Sequence, residues 1–135
     1  MKVSTALRYG SALAGLVLAV SSSVAAEAAV FGGVWTVSAS LGHPVVETTA
    51  PTCVFKQSGG KISGTCKGPS AAGPAVGSVS GNAVLWSWHK IPTNRLQVNS
   101  IATYHGTFAG GVIRGTWTDT ADPGILGTFV GQRVP

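Results

Sequence analysis

Tyr104-His-Gly-Thr-Phe108-Ala-Gly-Gly-Val-Ile113-Arg-Gly-Thr-Trp117 states one phrase twice, once on each side of Gly110-Gly111. In both halves a bulky apolar residue, a glycine and a second bulky residue alternate with His, Thr or Arg. Side chains of an extended strand point alternately to opposite faces, so each half makes a strand with one dry and one wet surface. A Gly-Gly pair between two such runs is the chemistry of a two-residue hairpin turn. Centring the turn there sets Tyr104 opposite Trp117, Gly106 opposite Gly115 and Phe108 opposite Ile113. The phrase returns as Ile62-Ser-Gly-Thr-Cys66 and Ile125-Leu-Gly-Thr-Phe129. Repeated strands of this kind, with glycines that let them coil tightly, predict a small closed antiparallel barrel.

Working outward, the pattern gives eight strands near residues 33–39, 52–58, 61–67, 75–80, 83–90, 101–109, 112–119 and 125–133, with no amphipathic helical period between them. Turn signals separate them at Gly59-Gly60, Pro69 to Pro74, Gly81-Asn82, Gly110-Gly111 and Asp122-Pro123-Gly124. Residues 40–51 and 91–100 are the longer connections and read as rim loops. The expected fold class is therefore all-β, an eight-stranded antiparallel up-and-down barrel. A turn at Gly81-Asn82 sets Gly77 opposite Trp86 and turns Val79, Val84, Trp86 and Trp88 inward, with Ser78, Ser80, Ser87 and His89 outward. Trp35, Val37, Phe55, Ile62, Ile125 and Phe129 join the inward set, which then holds all four tryptophans. So much aromatic surface in one small domain either fills the lumen or lines a pocket.

Residues 1–26 carry Lys2 and Arg8, then the apolar run Ala12 to Val20, then small residues ending Val24-Ala25-Ala26. This is the build of a secretory signal peptide, with cleavage after Ala26 or Ala28. The run is far shorter than the roughly 20 residues of a membrane span. Residues 27–135 then form one domain, expected in the periplasm or medium. The whole chain is +5. From Glu27 onward seven Lys and Arg face four Asp and Glu, and the basic surface has no interleaved aromatics, so a nucleic-acid partner is not expected. Cys53 and Cys66 are the only cysteines. Export makes a disulfide the default, and a turn at Gly59-Gly60 sets the two directly opposite in a non-hydrogen-bonded pair, a spacing that suits the bond.

These pieces, in this order, resemble the avidin family. Gly33-Val-Trp35-Thr36 with Leu41-Gly42 is similar to its first strand, and Gly60-Lys-Ile-Ser-Gly-Thr-Cys66 to its second hairpin. Leu85-Trp-Ser-Trp88-His-Lys90 resembles its aromatic strand, Thr103 to Phe108 with Arg114 to Trp117 its next hairpin, and Gly127-Thr-Phe-Val-Gly131 its closing strand. The resemblance implies a barrel that holds a small molecule, biotin in the type case, with Trp88, Tyr104 and Trp117 as the aromatic walls, Trp86 beside them, and Ser40 from the first loop acting as part of a lid. The polar contacts depart from the family. Its ureido-binding tyrosine corresponds to Cys66, its first-strand asparagine to Val37, two hydroxyl positions to Gly68 and Ala102, and its closing acid or amide to Gln132 or Arg133. Each buried polar group left without a partner costs roughly 1–3 kcal/mol, so the implied guest is flatter or more apolar than biotin. Trp35, in a Gly-x-Trp first strand, is expected to plug the closed end under Arg133 through a cation–π contact.

No residue set points to catalysis. Ser, His and Asp are present without a nucleophile motif, both cysteines are committed, and Asp119 and Asp122 flank a turn. His89 and His105 share outward parity with no third ligand for a metal. The expected function is non-catalytic binding of a small ligand, without cofactor, metal or membrane. A homo-oligomer is expected through the outward residues Leu85, Val112, Leu126 and Val130. The alternative is a secreted protein-interaction or inhibitor module with a filled barrel.

Overall fold

The structure, a computed structural model, describes residues 28–41, 46–95, 98–124 and 126–135, and for 46–49 the backbone alone. The signal-peptide segment and Ile125 lie outside the described residues. The elements are β1 (Gly33–Leu41), β2 (Val46–Thr49), β3 (Thr52–Ser58), β4 (Lys61–Lys67), β5 (Ala71–Ser80), β6 (Ala83–Pro92), β7 (Ser100–Ala109), β8 (Val112–Asp119) and β9 (Gly127–Arg133). All pairings are antiparallel, and β1 closes on β9 from Trp35 against Arg133 to Ser40 against Thr128. Eight strands, β1 and β3 to β9, therefore form the expected barrel.

Registers set its dimensions. A line of opposed residues from Ser40 runs through Thr128, Thr116, His105, Leu85, Ser78, Lys61 and Ser58. Carried on along the β1–β3 ladder it meets the first strand again at the level of Val30, a shear of ten residues. With ordinary strand spacing and rise, eight strands at that shear tilt by about 42° and give a backbone radius of about 8 Å. Such a lumen is filled by side chains unless one end is left open.

Two-residue turns join β3 to β4, β5 to β6 and β7 to β8, pairing Ser58 with Lys61, Ser80 with Ala83 and Ala109 with Val112. Each has a glycine at positive φ in its first central position: Gly59 at 58°, Gly81 at 55° and Gly110 at 58°. An L side chain there would be strained, which is why these punctuation marks were readable. Parity also holds: Val79, Val84, Trp86 and Trp88 are buried, while Ser78, Ser80 and His89 are exposed.

Three boundaries differ from the sequence reading. The stretch 40–51 is less a loop than a rim hairpin, because β2 pairs with β1 in a register displaced by a bulge between Ala39 and Ser40. β5 starts at Ala71 because the turn is confined to Gly68–Ser70. Pro74 still pairs with Thr65 on β4, and the β5–β6 ladder skips Gly73 and Pro74, where the missing N–H falls. β6 likewise runs on to Pro92, two residues past the expected end at Lys90.

The end of the lumen beside Trp35 is stoppered by the segment before β1. Phe31 is fully buried and stacks on Trp35 at 4.7 Å and 14°, with its ring also against Phe55, Trp86 and Phe108. The Trp35 indole N–H donates to the Phe31 carbonyl at 2.8 Å. Gln57 holds the segment from one side, its Oε1 accepting from the N–H groups of Phe31 and Gly32 and its Nε2 donating to the Ala29 carbonyl at 2.9 Å. From the other side Arg133 stands over Trp35, 4.6 Å from the ring centroid, and donates to the carbonyls of Gly32 and Val30. Charge, stacking and backbone hydrogen bonds thus converge on one plug, of which the sequence reading held Trp35 and Arg133 but not Phe31.

Cys53 and Cys66 are opposed in the β3–β4 ladder with Cα atoms 4.0 Å apart, and they are bonded. Replacing both with alanine is expected to lower unfolding stability by about 3 kcal/mol, the chain-entropy value for so short a loop, in urea titrations of the oxidised protein. Phe31→Ala removes a fully buried ring and is expected to cost about 3–5 kcal/mol in the same titration.

Candidate functional site

A row of directly opposed residues crosses the middle of the barrel: Gly77, Trp86, Tyr104, Trp117 and Gly127 on β5 to β9. Three large rings fit side by side because both ends of the row are glycine. A Cβ on Gly77 would lie 2.0 Å from the Leu85 carbonyl oxygen, and one on Gly127 would lie 2.3 Å from the Trp117 indole nitrogen. Trp86 stacks on Tyr104 at 4.7 Å and 14°, and Tyr104 is nearly parallel to Trp117 at 6.2 Å. Phe129 meets Trp86 and Tyr104 edge-on at 5.5 and 5.2 Å. These contacts, each worth about 0.5–1.5 kcal/mol beyond area burial, make a solid layer above the plug.

Trp117 is fixed by its polar edge. Its indole N–H is shared between the carbonyls of Ser40 at 3.2 Å and Thr128 at 3.1 Å. Ser40 therefore contributes a backbone oxygen that aims the ring. The indole N–H groups of Trp86 and Trp88 and the Tyr104 hydroxyl are buried with no hydrogen-bond partner among the described residues. Burial raises the Tyr104 pKa, and the nearby Asp119 charge raises it further, so the phenol stays protonated throughout the ordinary pH range.

On the far side of this layer from the plug, the barrel opens into a cavity of about 400 Å³. Its aromatic walls are Trp88 and Trp117, and its rim includes Leu41, Pro69, Ala71 and Val98. Trp88 is opposed by Ala75 on β5 and by Ala102 on β7, both buried, so small neighbours flank the ring. Of the residues singled out from the sequence, Trp88 and Trp117 face the cavity, Trp86 and Tyr104 form the packed layer beneath it, and Ser40 reaches it through Trp117. Residues 42–45 lie outside the described residues, and with them the tip of the expected lid.

The cavity wall also carries charge that the sequence reading passed over. Lys90 Nζ donates to Asp119 Oδ2 at 2.8 Å, and Lys90 lies 5.7 Å from the centroid of the Trp88 ring. Asp119 Oδ1 accepts from the Ala121 N–H at 2.9 Å, and Ser100, itself buried, lines the cavity with it. The signal was available: Lys90 follows Trp86 and Trp88 at period two, and Asp119 follows Trp117. Asp119 ends the expected strand 112–119 and flanks the turn at Asp122-Pro123-Gly124; β8 ends on it as expected and buries it. His89 and His105 are both exposed on the outer face, and among the described residues no group of three His, Cys, Asp or Glu could hold a metal ion. On that outer face Leu85 and Leu126 are exposed, and Val112 and Val130 are half-buried.

Fold and site together define a class: a disulfide-bonded, eight-stranded antiparallel barrel, stoppered at one end and open at the other over aromatic walls. No family model, curated protein or solved structure matches the chain.

Burial alone would raise the Asp119 pKa, but the hydrogen bonds from Lys90, Ala121 and Ser100 and the Lys90 charge outweigh it and hold the carboxyl below the usual carboxylate range. A folded-state pKa below the unfolded one adds stability above about pH 4 that is lost as pH falls through the folded value. Wild-type protein is therefore expected to lose more stability than Asp119→Asn between pH 6 and pH 2.5, measured by urea unfolding at each pH.

Proposed function

We propose that this protein is an exported, non-catalytic binding protein that holds a small, flat, partly apolar molecule in the mouth cavity, in the manner of the avidin-like barrels its sequence resembles. The observation that carries the reading is the contrast inside one lumen: the half beside the plug is packed solid, while the other half keeps about 400 Å³ between Trp88 and Trp117. That volume falls in the range of small-molecule sites, which pair apolar walls with a few placed polar groups. Small residues, Gly68, Ser70 and Ala71, line that space where larger side chains would occupy it. The competing reading, a protein-interaction or inhibitor module, draws its support from the filled half alone.

Biotin is the guest the resemblance implies, yet the polar contacts it needs are replaced here. Cys66 is spent on the disulfide, and Val37 and Ala102 are buried apolar positions. Export is supported by the disulfide, since such bonds persist in oxidising compartments.

Naphthalene, a flat ring of suitable size, is the first probe. Titrated into the purified protein it is expected to quench tryptophan emission saturably. Trp88→Ala or Trp117→Ala should weaken its binding at least about tenfold, equivalent to about 1.4 kcal/mol, whereas the outer-face change Thr103→Ala should not. Unaltered affinity in both tryptophan variants would overturn the assignment of the cavity as the site.

A further inference from the structure

The chemistry of the guest can be narrowed from the polar groups on the cavity wall, an inference that rests on the binding role proposed above. Lys90, Ser100 and Asp119 come from three strands, β6, β7 and β8, and all line the cavity. Their hydrogen bonds are unequally used. The Asp119 carboxylate accepts from Lys90 on Oδ2 and from the Ala121 N–H on Oδ1, so both of its oxygens are engaged. An ammonium has three N–H donors, and the hydrogen bond to Asp119 takes one of them. Lys90 is only 22% exposed through its side chain and is held in place by its partner, so its remaining donors are directed into the same confined space as the Trp88 ring. Beside Trp88 the unused hydrogen-bonding capacity is therefore on the donor side, and the further carboxylate of the lining, Asp122, is exposed.

Charge decides between the guests that could satisfy such a wall. An anion set against Lys90 would also lie close to Asp119, because the two charged atoms are 2.8 Å apart. Attraction and repulsion would then largely offset, while the anion still lost its hydration. A cation set against Trp88 would meet the Lys90 charge, share Asp119 oxygens that already accept from Lys90 and Ala121, and reach a further carboxylate at the exposed Asp122. A neutral oxygen or nitrogen acceptor takes an N–H from Lys90 without adding a net charge to the cavity, and a hydrogen bond to a charged donor is among the stronger kinds. Because Lys90 stands beside the Trp88 face, that acceptor belongs on the edge of a ring lying against Trp88.

We propose that the cavity selects a neutral, planar ring compound carrying a carbonyl or ring-nitrogen acceptor, that Lys90 donates to this acceptor, and that Asp119 positions Lys90 without touching the ligand. The class spans aromatic ketones, quinones, lactams and neutral nitrogen heterocycles.

Four probes with one ring system separate the possibilities: naphthalene, 2-acetylnaphthalene, 2-naphthoate and 2-naphthylmethylammonium, each titrated by tryptophan fluorescence at pH 7. The ketone is expected to bind about tenfold tighter than naphthalene, and both ions more weakly than the ketone. In Lys90→Met the ketone should fall to the level of naphthalene, with naphthalene itself changed less than about twofold, and Lys90→Arg should retain part of the gain. Should Lys90→Met fold poorly with Asp119 left unpaired, the double variant Lys90→Met with Asp119→Leu removes both charges and carries the same expectation. A ketone that binds no better than naphthalene, a preference for either ion, or a ketone advantage that survives the loss of Lys90 overturns this inference and leaves the cavity as a binding site. Failure of all four probes to bind wild-type protein overturns both readings together.

Discussion

A barrel of fixed strand number and shear encloses a fixed volume, and the inside of this one obeys that limit through complementary sizes across its ladders. Large inward side chains repeatedly face a glycine or alanine: Phe55 against Gly64, Ile62 and Trp86 against Gly77, Trp88 against Ala75 and Ala102, Trp117 against Gly127, Phe129 against Gly115 and Ile113 against Gly131. The glycines admit the rings and also let the backbones approach, since a Cβ on Gly64 or Gly115 would lie 1.7 or 2.0 Å from a carbonyl oxygen of the neighbouring strand. Packing, coiling and closure are thus one constraint seen three ways. Beyond the rings the cavity begins, lined by Gly68, Ser70, Ala71 and Ser100 beside Trp88 and Trp117.

The two ends of the lumen use related chemistry for opposite purposes. At the plug, Arg133 covers a tryptophan and spends its donors on backbone carbonyls of the entering chain. At the mouth, Lys90 lies beside another tryptophan, is paired among the described residues with a carboxylate, and lines the cavity. Arginine's fixed, planar fork suits a permanent closure, and lysine's compact head with rotatable donors suits exchange. The barrel is asymmetric along its axis for this reason, although its strands alternate regularly from one end to the other.

Much of this was legible from residue order alone. Alternation is a strong signal when glycine and tryptophan share a parity, so the strand set, the three tight hairpins, the Cys53–Cys66 pairing and the inward tryptophans could all be read. Phe31 could not, since it precedes the first strand and its burial comes from long-range docking by Gln57 and Arg133, which no local period encodes. The early start of β5 was hidden by Pro74, whose presence argues for a turn until the ladder shows which N–H is dispensable. Lys90 and Asp119 were masked differently: charged residues at the ends of strands ordinarily face water, and only the three-strand register reveals that these two meet above Trp88.

The route of the described chain has a practical corollary. Ala28 to Gly32 and Arg133 with Val134 gather at the stoppered end, where Val134 N–H donates to the Val34 carbonyl at 2.8 Å. A tag, tether or fused domain joined at either of these points would leave from the pole remote from Trp88 and Trp117. Immobilised in that way, the molecule stands like a cup on its base, with its rim turned to the surrounding solution.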